Sequence, residues 1–199
     1  MAAARIWLAR LADEAALARY ALWLTPQEAA RATGFARPQR RRQFLTGRAL
    51  LRIGLGDMLG IAPEAIALDA VPGRAPALLA PQGGVAGISV SHSGAWVACA
   101  ASVDTALGLD IETRGPTRDV MALAGQAFDT AARARLAALA PAERPDLFYA
   151  MWSELEARIK LGLEGQGGSC IALPHEELSV VLCSGAPLAA PPVLDLRVL

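Results

Sequence analysis

Lysine is almost missing from this chain. Of nineteen basic side chains among 199 residues, eighteen are arginine and one, Lys160, is not. Histidine occurs only twice, at His92 and His175, too few and too far apart in sequence for a histidine-rich zinc centre. The three cysteines, Cys99, Cys170 and Cys183, are odd in number and show no C-x-x-C spacing. That argues for a reducing compartment, with the protein cytoplasmic, and against a disulfide framework. No run of eighteen apolar residues occurs, which excludes a membrane-spanning helix of ordinary kind. The apolar start is broken by Arg10, Asp13, Glu14 and Arg19, so it matches neither a signal peptide nor an acid-poor transit peptide. Nineteen acids balance nineteen bases. The basic excess of a nucleic-acid binder is therefore absent, as is an acidic tail. There is no G-x-x-x-x-G-K-[ST] and no G-x-G-x-x-G, so a nucleotide would be held by side chains and not by a glycine-rich cradle.

What is present fits an α+β protein long enough to bury a sizeable core. A short strand is expected near 6–9, followed by a helix. Thr25 and Pro26 followed by Glu28 read as an N-cap, a proline at the first helical position and an early acid. After Gly34 an apolar helical face (Phe44, Leu45, Leu51, Ile53, Leu55, Met58, Leu59) carries Arg40, Arg41, Arg42, Arg48 and Arg52 at its start and flank. A turn-rich stretch with short extended pieces comes next. "GISVSHSGAWVACAASVDTALGLDIET" reads as consecutive strands, residues 117–164 as mostly helical, and 169–199 as short strands around a turn. A faint echo links "RIGLG" before "IAL" with "RIKLG" before "IAL". It hints at a duplicated architecture with a site between its halves.

Three groups of residues carry chemistry. In "GLDIE", Asp110 and Glu112 are two apart and share one face of a strand, while Leu109 and Ile111 point to the other. Paired carboxylates repel unless a cation sits between them, and hard oxygen ligands suit Mg²⁺. Read blandly, the pair is a solvated strand end. Glu156 and Lys160 are four apart on a helix, which alone would be an ordinary surface ion pair. The retention of one lysine in an arginine-based chain points instead to a compact, deprotonatable cation. On the basic side stand the Arg40–Arg42 run, Arg48, Arg74 in "GRAP", and Ser91, His92 and Ser93 in "SHSG", all suited to phosphate. The arginine run by itself is more simply a solvated face. Trp152 and Phe148 read as core anchors of the Lys160 helix.

Taken in order, "GRAP", "ISVSHSGAWVACA", "GLDIE" and "FYAMWSELEARIKLGLEG" resemble the 4′-phosphopantetheinyl transferases, of the two-lobed monomeric type that serves peptide, polyketide and fatty-acid synthases. The resemblance runs from about 40 to 165. It implies two similar α/β lobes related by a pseudo-twofold axis, at 1–100 and 101–199, with the active site between them. It implies transfer of the phosphopantetheine arm from coenzyme A to a serine of an apo acyl or peptidyl carrier protein, with release of 3′,5′-ADP. It further implies Asp110, Glu112 and Glu156 as Mg²⁺ ligands. Lys160 and Glu156 would be the catalytic pair, and Arg48, Arg74, Ser91 and His92 the coenzyme A contacts. Partners would be coenzyme A and the carrier, with neither nucleic acid nor membrane involved.

The chain departs from the family pattern in four places. Leu155 replaces a lysine of the W-[ST]-x-K-E-A-x-x-K pattern, and Arg74 replaces the lysine of G-K-P. Asp129 is displaced from the usual acidic position, with alanines at 131 and 132. The segment after Gly165 is short. Two other readings fit the same residues: a module that binds coenzyme A or a carrier without turnover, and a Mg²⁺-dependent phosphoester hydrolase.

Overall fold

The computed structural model describes residues 1–115, 119–162 and 168–199. The ends of the expected helical stretch (117, 118, 163 and 164) and Gly165 lie outside them. The fold is mixed α+β, with strands and helices where the sequence patterns place them. Strand β1 (Arg5–Arg10) is followed by helices α1 (Glu14–Ala21), α2 (Pro26–Thr33) and α3 (Pro38–Leu59). A small hairpin of β2 (Ala67–Leu68) and β3 (Leu78–Ala80) leads to β4 (Gly87–Ser93), β5 (Trp96–Ser102) and β6 (Leu107–Thr113). Helices α4 (Val120–Ala127), α5 (Thr130–Ala137) and α6 (Arg144–Leu161) precede β7 (Ser169–Leu173), β8 (Leu178–Ser184) and β9 (Leu194–Arg197).

Local chemistry explains the helix ends. Asp13 caps α1 by accepting from the Ala16 amide at 2.7 Å. Thr25 and Glu28 form the reciprocal capping box that opens α2. The displaced acid Asp129 caps α5, accepting from the Ala132 amide at 2.8 Å. Both long helices carry proline at their start and end on a left-handed glycine, Gly60 after α3 and Gly162 after α6.

The first main sheet has the order β4-β5-β1-β9 and the second β6-β8-β7. With the β2–β3 hairpin between α3 and β4 set aside, the run β1-α1-α2-α3-β4-β5 folds with its strands ordered β4-β5-β1, and the run β6-α4-α5-α6-β7-β8 with its strands ordered β7-β8-β6. Every pairing within those two triplets is antiparallel. The last strand, β9, returns to pair in parallel with β1.

Strand alternation sorts the core into layers. Ile6, Leu8, Trp96, Ala98 and Ala100 of the first sheet face Leu107, Leu109, Ile111, Leu178, Val180 and Leu182 of the second. The opposite face of the first sheet, with Trp7, Val97 and Cys99, receives Leu50, Leu51 and Leu55 of α3. The opposite face of the second sheet, with Val181 and Cys183, receives Ala157 of α6. The order is helix, sheet, sheet, helix.

The cysteine reading needs correction. Cys170 and Cys183 are joined by a disulfide. They stand directly opposite each other in the β7–β8 register, a proximity that sequence spacing cannot show. The cysteine-based argument for a reducing compartment falls with it. Cys99 is a free, fully buried thiol, and burial pushes its pKa up to about 12.

Gly108 sets how closely α6 lies on β6. A Cβ there would stand 1.9 Å from the Ala157 carbonyl oxygen and 2.7 Å from the Leu161 nitrogen. Both obstacles are backbone, so neither can turn aside. Gly108→Ala is expected to destabilise the fold by about 1–3 kcal/mol through overpacking. Gly125→Ala in α4, where a Cβ meets nothing within 4 Å, should be neutral or stabilise by up to about 1 kcal/mol. Urea unfolding of the two variants beside the wild type measures both; equal stability of the two variants would contradict the close-approach reading.

Candidate active site

The site begins with three serines. The alternation in "GISVSHS" turns Ser89, Ser91 and Ser93 to one side of β4 and Ile88, Val90 and His92 to the other. On the serine side lies β6, an edge strand of the second sheet. Its outward amides are not paired with a strand. They donate to the serine hydroxyls instead: Leu109 to Ser89 at 2.8 Å, Ile111 to Ser91 at 3.2 Å and Thr113 to Ser93 at 3.0 Å. Side-chain oxygens thus satisfy a row of amides that would be costly to bury unpaired.

The same hydroxyls donate onward to the acids of β6. Ser91 donates to Asp110 Oδ1 at 2.9 Å and Ser93 to Glu112 Oε2 at 2.7 Å. Asp110 and Glu112 do share one strand face, and α6 crosses that face. Lys160 reaches over from α6 and donates to Asp110 Oδ1 at 2.8 Å, Ser91 Oγ at 2.9 Å and the Leu109 carbonyl at 3.1 Å. The ammonium therefore spans between the sheets. Among the described residues its one ion pair is with Asp110, and the simple surface pair with Glu156 is not formed.

Two cavities meet at this point. The smaller, about 370 Å³, is lined by Ser91, Asp110, Glu112, Trp152, Glu156 and Lys160, with Val90 and His92. The larger, about 610 Å³, lies between α3, the "GRAP" turn and β4. Its polar wall includes Arg31, Arg40, Arg48 and Arg74, and Phe35, Phe44 and Pro76 supply apolar surface. Val90, His92 and Lys160 belong to both. The eight site residues that the family resemblance implies (Arg48, Arg74, Ser91, His92, Asp110, Glu112, Glu156 and Lys160) thus line one or both of two adjoining spaces. Leu155 lines neither.

The arginine run divides. At 100° per residue, successive helix positions cannot share a face. Arg40 turns to the cavity and sits 2.9 Å from His92 Nδ1. Arg41 pairs with Glu14 at 2.8 Å, and Arg42 donates to the Ala12 carbonyl at 3.1 and 3.0 Å. Gln39 and Gln43 hold the β4–β5 turn by donating to the Gly94 carbonyl. The sequence reading missed Arg31, Phe35 and Ser89. Ser89 could have been found, since it continues the i, i+2 serine alternation; Arg31 and Phe35 stand in no motif.

Burial, with the Arg40 charge beside it, lowers the His92 pKa to about 4, so its ring is neutral near pH 7. Trp152 is half-buried and stacks on the buried Phe148, ring centroids 5.9 Å apart. Its other surroundings include the acid-lined cavity, so it is wall as well as anchor.

For a metal the acids offer a partial arrangement. Among the described residues no three His, Cys, Asp or Glu side chains are gathered closely enough to hold an ion. Yet Asp110 is buried and its Oδ2 has no hydrogen-bond partner there. An orphaned carboxylate oxygen in a cavity with two more carboxylates fits a hard cation.

No family model matches the chain. HetI of Nostoc sp. (strain PCC 7120), a 4′-phosphopantetheinyl transferase, is 29% identical over 185 residues, which cover 92% of this chain and 76% of HetI. AcpT of Escherichia coli K12, also named a 4′-phosphopantetheinyl transferase, is 27% identical over 161 residues, with 74% and 77% covered. A protein of Synechocystis sp. (strain PCC 6803), slr0495, provisionally named a 4′-phosphopantetheinyl transferase, is 30% identical over 176 residues, 88% of this chain and 71% of its own length. Likeness of that extent shows that the chain belongs to the 4′-phosphopantetheinyl transferase family.

Proposed function

We propose that this enzyme transfers the 4′-phosphopantetheine arm of coenzyme A to a serine of an apo acyl or peptidyl carrier protein, with Mg²⁺, and releases 3′,5′-ADP. The observation that carries the reading is Lys160, shared by an arginine-lined cavity and an acid-lined one and held 2.8 Å from Asp110. A ligand with phosphates at one end and a reacting phosphorus further along would span both.

The roles follow from the chemistry of each wall. Arg48 and Arg74, as guanidinium forks, and His92 and Ser91, as neutral polar groups, would bind the phosphates of coenzyme A. Phe35, Phe44 and Pro76 offer an apolar wall to the base. Lys160 would place its point charge against the pyrophosphate at the junction. Glu156, one helical turn before it, would take the proton from the attacking serine hydroxyl. The serine oxygen forms a bond to the β-phosphorus, the bond from that phosphorus to the bridging oxygen breaks, and the electron pair leaves on 3′,5′-ADP. Positioning and charge neutralisation carry such a transfer. Asp110, Glu112 and Glu156 would hold Mg²⁺, whose charge when bound offsets that of the pyrophosphate.

The reading includes two similar lobes, 1–100 and 101–199, related by a pseudo-twofold axis. With the β2–β3 hairpin and β9, which pairs with β1, set aside, the matching element order and strand order of the two runs support it. It also includes a monomer acting in the cytoplasm. One chain lines both cavities, and the proposed donor is an intracellular cofactor.

Lys160→Ala is expected to lower kcat/KM for transfer by about 100-fold or more, the usual scale for one charge-stabilising donor. The mass shift of an apo carrier incubated with coenzyme A and Mg²⁺ reads it; unchanged turnover would remove Lys160 from the mechanism. Asp110→Ala should weaken the Mg²⁺ dependence of coenzyme A binding in calorimetry, and an unaltered Mg²⁺ dependence would exclude Asp110 as a ligand.

The His92 shift also predicts a pH effect. Its folded pKa, about 4, lies below the ordinary 6.5. Between those values the unfolded chain holds more protons than the folded one, so stability rises with pH. The contribution is complete above pH 6.5 and is lost as pH falls toward 4. Urea unfolding of His92→Gln against the wild type between pH 4 and 7 should show a shallower acid-side slope in the variant; parallel slopes would contradict the assignment.

A further inference from the structure

Behind the wall of the larger cavity lies a buried charge cluster that does not balance. Glu28, from the capping box of α2, is fully buried. Arg52 of α3, equally buried, grips it with two bonds, Nη1 to Oε1 at 2.9 Å and Nη2 to Oε2 at 2.5 Å, and donates Nε to the Ile66 carbonyl at 3.0 Å. Arg48, one helical turn earlier on α3, is 6% exposed, and its Nε stands 3.5 Å from Glu28 Oε1. Two guanidiniums therefore share one carboxylate. Arg31 adds a third positive charge nearby, with its Nη1 donating to the Ala70 and Val71 carbonyls at 3.1 and 3.0 Å. The other acidic group acting on Arg48, the Cys99 thiol, is neutral at pH 7 because its pKa is about 12.

Among the described residues Arg48 Nη1 is buried with no hydrogen-bond partner, and Arg48 lines the larger cavity. If the cluster served stability alone, it would leave neither an excess positive charge nor an unused donor, since each is costly when buried. Both deficits are met by one kind of ligand: an anion with a free acceptor oxygen.

We propose that Glu28 and Arg52 are positioning residues that fix Arg48 in a socket for a phosphate monoester, so that the bound phosphate supplies the charge and the acceptor the cluster lacks. The proposal rests on the functional reading above and deepens it: the group recognised is the terminal 3′-phosphate of coenzyme A, at the end of the ligand away from the acid-lined cavity. Glu28 does not touch the ligand. It acts by holding the Arg48 guanidinium in one orientation, as Arg52 in turn holds Glu28.

The test compares coenzyme A with 3′-dephospho-coenzyme A as donors for an apo carrier protein, using wild type, Glu28→Gln and the double variant Glu28→Gln/Arg52→Met. The double variant removes one charge of each sign, so the cluster keeps its net charge and loses only its scaffold. It also covers the case in which Glu28→Gln fails to fold with two buried guanidiniums unpaired. In wild type the KM for coenzyme A should be lower than that for the dephospho donor by about tenfold or more, the scale of a charge-assisted hydrogen bond. In the double variant that ratio should fall toward one, through a rise in the KM for coenzyme A. A retained ratio, or an equal rise for both donors, would overturn the proposal, since a purely structural role cannot tell the two donors apart. If wild type transfers from neither donor, the functional reading fails separately. The socket is then judged by thermal unfolding with inorganic phosphate: stabilisation of wild type that the double variant lacks supports it, and the same response in both, or none in wild type, overturns it.

Discussion

Two sheet edges meet without sharing a backbone hydrogen bond, and the rest of the site depends on that contact. Buried amides on the edge of β6 that no strand pairs must find acceptors. A strand would have satisfied them but would have merged the two sheets. Serine hydroxyls at alternate positions of β4 satisfy them instead, and each hydroxyl keeps a proton to donate. Ser91 and Ser93 use theirs on the carboxylates of β6. One repeating element thus seals the junction and orients two of the acids.

The close approach of α6 builds on that junction. Because Gly108 offers no Cβ, the helix backbone lies against β6, and the Lys160 side chain can reach Asp110, Ser91 and the Leu109 carbonyl together. Lys160 is the group that ties α6 to both sheet edges. An arginine in its place would bring a broad planar fork where the geometry asks for three bonds from one nitrogen, which accounts for the single lysine of an arginine-based chain.

On the other flank, α3 has two tasks. Its apolar face packs on the first sheet through Leu50, Leu51 and Leu55, with Gly54 so close to the Trp7 indole that a Cβ there would lie 2.3 Å from the ring. Its polar side presents Arg40 and Arg48 to the larger cavity. Arg48 is held from behind by a carboxylate that also caps the neighbouring helix. A capping residue, normally a local device worth about 1 kcal/mol, here also pairs with a cavity-lining arginine on the next helix.

Much of this was legible in the sequence because it depends on periodicity. The i, i+2 spacing of Asp110 and Glu112, the i, i+4 spacing of Glu156 and Lys160, the Thr25–Glu28 cap and the alternation in "SVSHS" are local facts, and the backbone geometry of strands and helices turns them directly into faces. The ordered motifs pointed to the family that the relatives show. What the tertiary structure decided is every relation between elements distant along the chain. It chose Asp110 over Glu156 as the partner of Lys160, separated Arg40 from Arg41 and Arg42, and set Cys170 opposite Cys183. It also buried Glu28 between two arginines twenty or more residues away. Sequence spacing carries no information on such pairs, because the packing of sheet against sheet and helix against strand brings them together.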